Sequence, residues 1–203
     1  MEIVWILLIC FGAYLLGSIP TGYIIVKAIK KQDIREVGSG STGATNVKRV
    51  LGKRGFYSVL LLDAIKGFVP VMLAKYLEVK LGLYQDFHII PILASAAVIF
   101  GHSKSIFLNF TGGKSVAATA GVGLAIDWRV AVICYVFFAI VAYVSKYISL
   151  ASILTMVMMV ILIIYFKNPL SYVIFCSITA IYVIYLHREN IKRLVQGNEN
   201  KVR

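Results

Sequence analysis

The sequence predicts an all-α integral membrane protein, because its composition, its long apolar runs and the placement of its basic residues agree. Of 203 residues, 60% are hydrophobic, and the mean hydropathy is +0.85. A water-soluble domain of this composition would expose too much hydrocarbon, whereas helices of roughly 20 apolar residues can cross a bilayer. We therefore expect one polytopic membrane domain over residues 1–203.

Seven apolar segments give the predicted helices. In chain order they are 3–26, 55–76, 87–100, 116–126, 130–144, 149–166 and 170–186. The segments 87–100 and 116–126 are shorter than the roughly 17 residues that a span requires. Seven transmembrane helices are expected, and five spans with a re-entrant pair are the alternative.

Lysine and arginine predict the orientation, because they concentrate in the cytoplasmic loops of membrane proteins. With the N-terminus outside and the C-terminus in the cytoplasm, 16 of the 21 basic residues lie on the inner side. The inner segments are 27–54, 102–115, 145–149 and the tail 187–203. The net charge of +12 thus reflects topology, and no nucleic-acid partner is expected.

The segment 38–46, Gly-Ser-Gly-Ser-Thr-Gly-Ala-Thr-Asn, is the most unusual polar stretch of the chain. Arg35 precedes it, and Lys48 and Arg49 follow it. Glycines let backbone N–H groups turn toward an anion, and hydroxyls and cations complete the site. The residues expected to bind substrate phosphate here are Gly38, Gly40, Thr45 and Asn46.

A second combination of glycine and a cation occurs at 111–115, Thr-Gly-Gly-Lys-Ser. Gly112 and Gly113 can present N–H groups at the start of a helix that begins near Ser115, and Lys114 adds a charge. Leu108 stands where a nucleotide-binding P-loop requires glycine, which argues against nucleotide hydrolysis. A flexible turn whose lysine only follows the positive-inside rule is the alternative.

Asp63 and Lys66 lie three residues apart inside a predicted span, where a lone charge costs about 2.5–3.5 kcal/mol. We expect them to share one helix face and to form an ion pair, with a structural role favoured and a catalytic one left open. The sequence Gly-Ser-Ile-Pro at 17–20 predicts a break in the first helix.

Two histidines end predicted spans on the inner side, His102 and His187. Asn190 follows His187 by about one helical turn, which places both on one face. The three histidines are scattered and no carboxylates cluster with them, so no metal site and no cofactor are expected. The cysteines lie in apolar segments and predict no disulfide.

In their order and spacing, these motifs resemble the bacterial acyl-phosphate:glycerol-3-phosphate acyltransferases of the PlsY type, over essentially the whole chain. The resemblance rests on 17–20, 33–35, 38–46, 63–67, 101–102, 112–114, 149–152, 187–190, Gly197 and Glu199. It implies transfer of a fatty acyl group from acyl phosphate to the 1-hydroxyl of sn-glycerol 3-phosphate. The products would be lysophosphatidic acid and phosphate, in the first acylation of phospholipid synthesis.

The resemblance also implies roles for individual residues. The implied catalytic residues are Ser39, Arg49, His187 and Asn190, and the implied structural acid is Glu199. The implied phosphate-binding residues of the later motifs are Gly112, Gly113, Lys114 and Ser152. The chain departs from the family pattern at Ser41, where asparagine is usual, and at Ser115, where glycine is usual.

The four polar patches are expected to form a single site on the cytoplasmic face of the bacterial inner membrane. The implied partners are fatty acyl phosphate, glycerol 3-phosphate and membrane lipids, with a functional link to a soluble enzyme that forms acyl phosphate. Either His187 or a phosphate oxygen of the substrate accepts the proton. A transporter of a phosphorylated metabolite and a non-catalytic scaffold are the alternative functions.

Overall fold

A computed structural model describes residues 2–82 and 87–201, and that part of the chain is helical without β-strands, as predicted. Two compact units divide the chain, Met1–Ala125 and Ile126–Arg203. The helices up to the division are α1 (Glu2–Ser18), α2 (Thr21–Lys30), α3 (Ala44–Leu81), α4 (Ile89–Ser103) and α5 (Val116–Ile126). The second unit contains α6 (Trp128–Ser145), α7 (Ile148–Tyr165), α8 (Leu170–Leu186) and α9 (Arg188–Val195).

Within residues 2–82 and 87–201, four apolar helical segments are long enough to cross a membrane, and α8 with α9 makes a fifth when this bent pair is counted as one span. The four are Ile3–Lys30, Ala44–Leu81, Trp128–Ser145 and Ile148–Tyr165. Large apolar side chains such as Leu7, Tyr143 and Leu170 are exposed, as lipid-facing residues are. The chain is thus a multi-pass membrane protein, and the count of seven spans stays a prediction because α4 and α5 are short.

The first span is broken between α1 and α2, where the sequence predicted a break. Pro20 cannot donate a backbone hydrogen bond, so the helical ladder is interrupted there. The Ser18 carbonyl accepts a hydrogen bond from Ser105 Oγ at 2.5 Å, and the Ile19 carbonyl accepts one from Lys66 Nζ at 2.7 Å. Side chains from other segments therefore satisfy the backbone groups that the break exposes.

Glycines let α1 and α4 approach closely. A Cβ atom on Gly17 would overlap the backbone of Val98, and one on Gly101 would overlap the Tyr14 carbonyl. Small residues at such crossings allow backbones to pack directly on each other in membranes. This contact fixes the end of α4, which carries His102, against the end of α1.

The structure shortens the first predicted inner loop. Residues 27–54 were assigned to a loop, but α2 continues to Lys30 and α3 begins at Ala44. The carbonyl of Gly43 accepts hydrogen bonds from the N–H groups of Asn46 and Val47, which starts the helix inside the polar stretch. Gly52 interrupts the 38-residue α3 with a φ of 69°, so a kink separates its first two turns from the long apolar part.

Polar contacts at the start of α6 also tie together distant parts of the second unit. Asp127 caps α6 and accepts hydrogen bonds from Arg129 Nη2 at 2.7 Å and from Asn168 Nδ2 at 2.9 Å. The Arg129 hydrogen bond, opposed by burial, holds the pKa of the Asp127 carboxyl below its ordinary value. The turn between α7 and α8 is thereby joined to the start of α6.

Candidate active site

The backbone of the first polar loop requires two of its glycines. Gly38 and Gly40 have φ values of 62° and 68°, a left-handed conformation that glycine adopts without steric cost. A Cβ atom on Gly38 would also overlap the side-chain oxygen of Asn46. Both glycines, predicted as phosphate ligands, therefore also shape the loop.

Asn46 is the centre of this loop, and its side chain is only 2% exposed. Its Nδ2 donates to the carbonyls of Ile34 at 3.2 Å, Val37 at 2.8 Å and Ser41 at 2.9 Å. These carbonyls belong to the turn and loop that precede α3. The amide thus holds the loop backbone in place from the first turn of the helix.

The Oδ1 atom of Asn46 brings together the two residues predicted to be catalytic in this loop. It accepts a hydrogen bond from the Ser39 backbone N–H at 3.1 Å and one from Arg49 Nη1 at 3.3 Å. Ser39 and Arg49 are exposed, whereas Thr45 is half-buried. A hydroxyl residue and a guanidinium therefore flank one oriented amide on an accessible surface.

Arg35 and Arg49 differ in what they contact. Arg35 forms an ion pair with Asp33 at 2.6 Å, and the pKa of Asp33 is lowered chiefly by this hydrogen bond. Arg49 instead contacts an uncharged amide oxygen, which leaves its positive charge uncompensated by that partner. The geometry favours Arg49 over Arg35 as the residue that attracts an anion.

The 112–114 loop closes on His102. The His102 carbonyl accepts a hydrogen bond from the Gly113 N–H at 3.1 Å. A Cβ atom on Gly112 would overlap this carbonyl, and one on Gly113 would overlap His102 Nε2. The two glycines that the sequence assigned to an anion are thus also needed for contact with a buried histidine. Lys114, which follows them, is half-buried.

Ser115, where the resemblance implies a glycine, has a glycine-like backbone, with φ at 60°. Such a conformation costs a non-glycine residue of order 1–3 kcal/mol. Its fully buried hydroxyl donates to the Ile99 carbonyl at 2.8 Å, and its own carbonyl accepts from the Thr119 N–H at 2.8 Å. The hydroxyl therefore anchors the end of the loop to α4.

The expected pair within the membrane is present, and two further polar side chains join it. Asp63, 1% exposed, lies 2.9 Å from Lys66 Nζ through Oδ1. The same oxygen accepts a hydrogen bond from Thr21 Oγ1 at 2.5 Å and lies 3.7 Å from His102 Nδ1. We call these four residues the Asp63 cluster. The sequence predicted the ion pair, but it did not predict that Thr21 and His102 lie beside Asp63.

Glu199 is the corresponding centre in the second unit. Its Oε1 accepts hydrogen bonds from Ser149 Oγ at 2.9 Å and Asn190 Nδ2 at 2.7 Å, and its Oε2 accepts one from Arg193 Nε at 2.7 Å. Partial burial raises the pKa of Glu199, but these hydrogen bonds outweigh it and lower the pKa overall. The tail is thereby tied to α7 and α9.

His187 lies at the 60° bend between α8 and α9 and is 4% exposed. Its Nδ1 lies 2.7 Å from the Val183 carbonyl, which can only accept, so Nδ1 carries the proton. The neutral ring then has its lone pair on Nε2, the arrangement that a general base needs. Ser152, predicted to bind phosphate, is 1% exposed and donates to the Ile148 carbonyl at 2.8 Å.

A family model described as glycerol-3-phosphate acyltransferase matches residues 7–197. The chain belongs to the glycerol-3-phosphate acyltransferase family. A family member from Nostoc sp. (strain PCC 7120 / SAG 25.82 / UTEX 2576) is 47% identical over 202 residues, covering 94% of this chain and 88% of its own. Another, from Acholeplasma laidlawii, is 37% identical and covers 100% of this chain and 95% of its own.

Solved structures of PlsY (YgiH), an integral membrane glycerol 3-phosphate acyltransferase, share the fold of this family member. The glycerol 3-phosphate form of PlsY superposes with a TM-score of 0.90 at 35% identity, covering 98% of this chain and 96% of its own. The lysophosphatidic acid form gives a TM-score of 0.87 at 33% identity, covering 98% and 95%. The similarity extends over both units of the chain.

In this acyltransferase, most of the predicted site residues fall into four groups. The first unit places Gly38, Ser39, Gly40, Thr45, Asn46 and Arg49 in one group, Gly112, Gly113 and Lys114 in another, and Asp63 and Lys66 in a third. The second unit brings Asn190 to Glu199. Ser149 and Arg193, which also bind Glu199, were not assigned roles from the sequence. Ser149 stands in the same short motif as Ser152, so only the fold distinguishes them.

Proposed function

We propose that this acyltransferase takes its acyl group from acyl phosphate and transfers it to the 1-hydroxyl of sn-glycerol 3-phosphate. The observation that carries the proposal is the presence of two separate loops of glycine and a cation, 38–49 and 112–114, in a glycerol-3-phosphate acyltransferase. The reaction has two phosphate groups to bind, one on the acceptor and one on the donor. The glycerol 3-phosphate form of PlsY supports glycerol 3-phosphate as the acyl acceptor, and its lysophosphatidic acid form supports lysophosphatidic acid as the product.

The reaction balances without a covalent enzyme intermediate. The 1-hydroxyl oxygen attacks the acyl carbonyl carbon and forms the ester bond. The bond between that carbon and the phosphate oxygen breaks, and inorganic phosphate leaves with the electron pair. The hydroxyl proton passes to His187 Nε2 or to a phosphate oxygen. Hydrogen-bond donors placed near the developing negative charge lower the free-energy barrier of the reaction.

The first loop is proposed to bind the acyl phosphate. Arg49 supplies the cation and Ser39 supplies a hydroxyl, and Asn46 Oδ1 accepts hydrogen bonds from Arg49 Nη1 and from the backbone N–H of Ser39. Gly38, Gly40 and Thr45 complete the loop around this group. Hydrogen bonds to an ionised group are roughly twice as strong as neutral ones, which suits a phosphate that gains charge as it leaves.

The second loop is proposed to bind the phosphate of glycerol 3-phosphate. Gly112 and Gly113 lie immediately before α5, and the positive end of a helix dipole favours an anion. Lys114 adds a full charge to this position. The acceptor would then enter from the aqueous side, while the acyl tail stays in the bilayer, where each buried methylene contributes about 0.8 kcal/mol.

The second unit is proposed to take part in the same reaction. His187 has the tautomer that can accept the hydroxyl proton through Nε2. Asn190 and Ser152 are proposed to bind substrate, and Glu199 holds Asn190 in position at 2.7 Å. Asp63 and Lys66 are proposed to be structural.

We also propose the membrane arrangement that the charge distribution predicts. Seven spans cross the bacterial inner membrane, with the N-terminus outside and the reaction on the cytoplasmic side. A soluble enzyme that forms acyl phosphate would supply the donor there. The basic residues of the inner segments suit this side because they attract anionic lipids and anionic metabolites.

The direct test is turnover with defined donors. Purified full-length protein in lipidic mesophase, given acyl phosphate and glycerol 3-phosphate, should release inorganic phosphate and form lysophosphatidate in equal amounts. Acyl-CoA in place of acyl phosphate should give no product. Folded protein that uses only acyl-CoA, or that binds glycerol 3-phosphate without converting it, would overturn the proposed donor.

Substitutions test the two loops. Ser39→Ala and Lys114→Ala should each lower turnover by about 100-fold or more, the range expected on loss of a group that stabilises developing charge. Lys104→Ala is a matched control, since it removes an exposed lysine from the same connection between α4 and α5. Near-normal rates in both loop variants would remove these residues from the site.

The orientation can be tested by labelling. In a variant without native cysteines, a cysteine at Asn109 should react only with a reagent that reaches the cytoplasm. One at Lys167 should react from outside. The reverse pattern would contradict the proposed arrangement.

A further inference from the structure

The Asp63 cluster is a group of four polar side chains, three of them ionisable, that the proposed chemistry does not use. Asp63 and Lys66 lie inside the long apolar part of α3, and both are at most 8% exposed. Burying such a pair in a bilayer costs free energy even when it is paired, so its contacts are informative. Those contacts lead to the backbone on both sides of the pair.

On one side the cluster holds the broken first span. Lys66 Nζ donates to the Ile19 carbonyl at 2.7 Å, and Thr21 Oγ1 donates to Asp63 at 2.5 Å. These two contacts fix the last residues before α2 and the first residue of α2. α2 is followed by the turn Ile34–Glu36 and then by the 38–46 loop. The cluster therefore holds the start of the helix that precedes this loop.

On the other side the cluster reaches the 112–114 loop through a single residue. His102 Nδ1 lies 3.7 Å from Asp63 Oδ1, which is longer than a hydrogen bond, and this buried nitrogen has no hydrogen-bond partner among the described residues. The opposite ring nitrogen, Nε2, faces Gly113 so closely that no Cβ atom would fit between them. The imidazole ring therefore lies between the charged pair and the loop.

The backbone of His102 contacts the same loop. Its carbonyl accepts the Gly113 N–H at 3.1 Å and would be overlapped by a Cβ atom on Gly112. A shift of the ring or of the end of α4 would consequently move both glycines. Lys114 follows them directly, so the same shift would move the ammonium group.

We propose that His102 is a positioning residue, packed between Asp63 and the 112–114 loop, that sets this loop for binding of glycerol 3-phosphate. This inference rests on the proposed role of that loop. Asp63 then acts on the site indirectly, because its carboxylate lies beside the imidazole ring that shapes the loop.

Glu78 and His88 form a matched pair at the other end of α3. Glu78 is also buried, at 2% exposure, and its Oε2 lies 3.4 Å from His88 Nδ1. Here too a carboxylate on α3 lies near a histidine of α4, but this histidine caps the start of α4, whereas His102 lies at its end. This pair is a control for the general cost of disturbing a buried carboxylate.

The test measures Michaelis constants in full-length protein. His102→Gln and Asp63→Asn should raise the KM for glycerol 3-phosphate by about 10-fold, equal to about 1.4 kcal/mol of lost binding, and leave the KM for acyl phosphate within about 2-fold. Glu78→Gln should leave both constants unchanged. A lower yield of folded protein reduces apparent kcat but does not move KM, so stability effects are separated from positioning.

A double-mutant cycle tests the contact itself. Gly113→Ala and His102→Ala should each raise the KM for glycerol 3-phosphate, and the double variant should be no worse than the more impaired single variant. Full additivity, or unchanged KM values in the His102 and Asp63 variants, would overturn the inference. If Lys114→Ala leaves this KM unchanged, the proposed role of the loop fails instead.

Discussion

Asn46 in the first unit and Glu199 in the second are both local hydrogen-bonding centres, but they work differently. Asn46 is a neutral amide that donates to three backbone carbonyls and accepts from Ser39 and Arg49. Glu199 is a carboxylate that only accepts, and its donors are three side chains. One centre shapes a backbone loop, and the other gathers side chains from separate segments.

This difference follows from what each region must satisfy. The first loop exposes carbonyl groups without helical partners, and an amide can donate to them while its oxygen remains an acceptor. The tail instead has donors on α7 and α9, which a single acceptor with two oxygens can join. The first centre has no titratable group, whereas the second is a carboxylate that titrates in acid.

The largest expected effect comes from breaking the amide centre. Asn46→Ala removes a side-chain donor from three carbonyls, of which those of Ile34 and Val37 keep the N–H groups of Val37 and Gly40, whereas that of Ser41 loses its side-chain donor. It also removes the acceptor of the Ser39 N–H and of Arg49, and each buried group left unsatisfied costs about 1–3 kcal/mol. We expect kcat/KM to fall by about 100-fold or more, measured by phosphate release, because 1.4 kcal/mol corresponds to a factor of ten. Asn46→Asp keeps the acceptor but loses the donor, so it should be impaired to a similar extent. Activity within 5-fold of wild type in Asn46→Asp would show that the donor role is unimportant.

An intermediate effect is expected at the carboxylate centre. Glu199→Gln keeps the shape but loses the ion pair with Arg193, and we expect about a 10-fold loss of kcat, in the range for removing a charged hydrogen bond. Arg193→Gln is the matched control from the other side of the pair. Wild-type kcat in both variants would contradict a supporting role for this centre.

The two centres should also differ in their response to acid. The pKa of Glu199 in the folded protein lies below its ordinary value of 4.5, so its contribution to stability is complete above that value. It is lost as the pH falls through the lowered pKa. The difference in melting temperature between wild type and Glu199→Gln should therefore shrink from about pH 6 to about pH 3. A difference that stays constant over this range would mean that Glu199 does not titrate as proposed.

The smallest effect is expected at Ser41, where the resemblance implies asparagine. Asn46 contacts the backbone carbonyl of Ser41, which any residue supplies, and Ser41 Oγ accepts only a long 3.3 Å bond from the Gly43 N–H. Ser41→Asn should change kcat/KM by less than about 3-fold, measured as for Asn46, since surface substitutions usually alter stability by no more than about 0.5 kcal/mol. A larger change would mean that this side chain contacts substrate.

The features that could be predicted from the sequence are those that depend on residues close together in the chain. Apolar length predicted the helix class, Pro20 the break in the first span, and the spacing of Asp63 and Lys66 their ion pair. The bounds 116–126 and 170–186 coincide with α5 and α8. Gly-Gly-Lys-Ser at 112–115 precedes the first of these helices, and Lys-Asn-Pro at 167–169 precedes the second.

Contacts between distant segments could not be predicted in the same way. The approach of His102 to Gly113 depends on how the connection after α4 folds back, which no spacing rule specifies. Asn46 appeared to be a phosphate ligand because it ends a polar stretch, yet its amide hydrogens bind backbone carbonyls. Ser149 and Ser152 are both serines of one short motif, so the sequence does not show which of them contacts Glu199. In the structure it is Ser149.

The break at Pro20 has a consequence for the order in which the chain is built. Ribosomes make residues 18 and 19 long before Lys66 and Ser105, the side chains that later satisfy their carbonyls. Until then, the Ser18 carbonyl lacks its Ser105 donor, and the Ile19 carbonyl has the N–H of Thr21 but not the ammonium group of Lys66. The polar contacts of this break are therefore completed only after much later segments of the chain have been made.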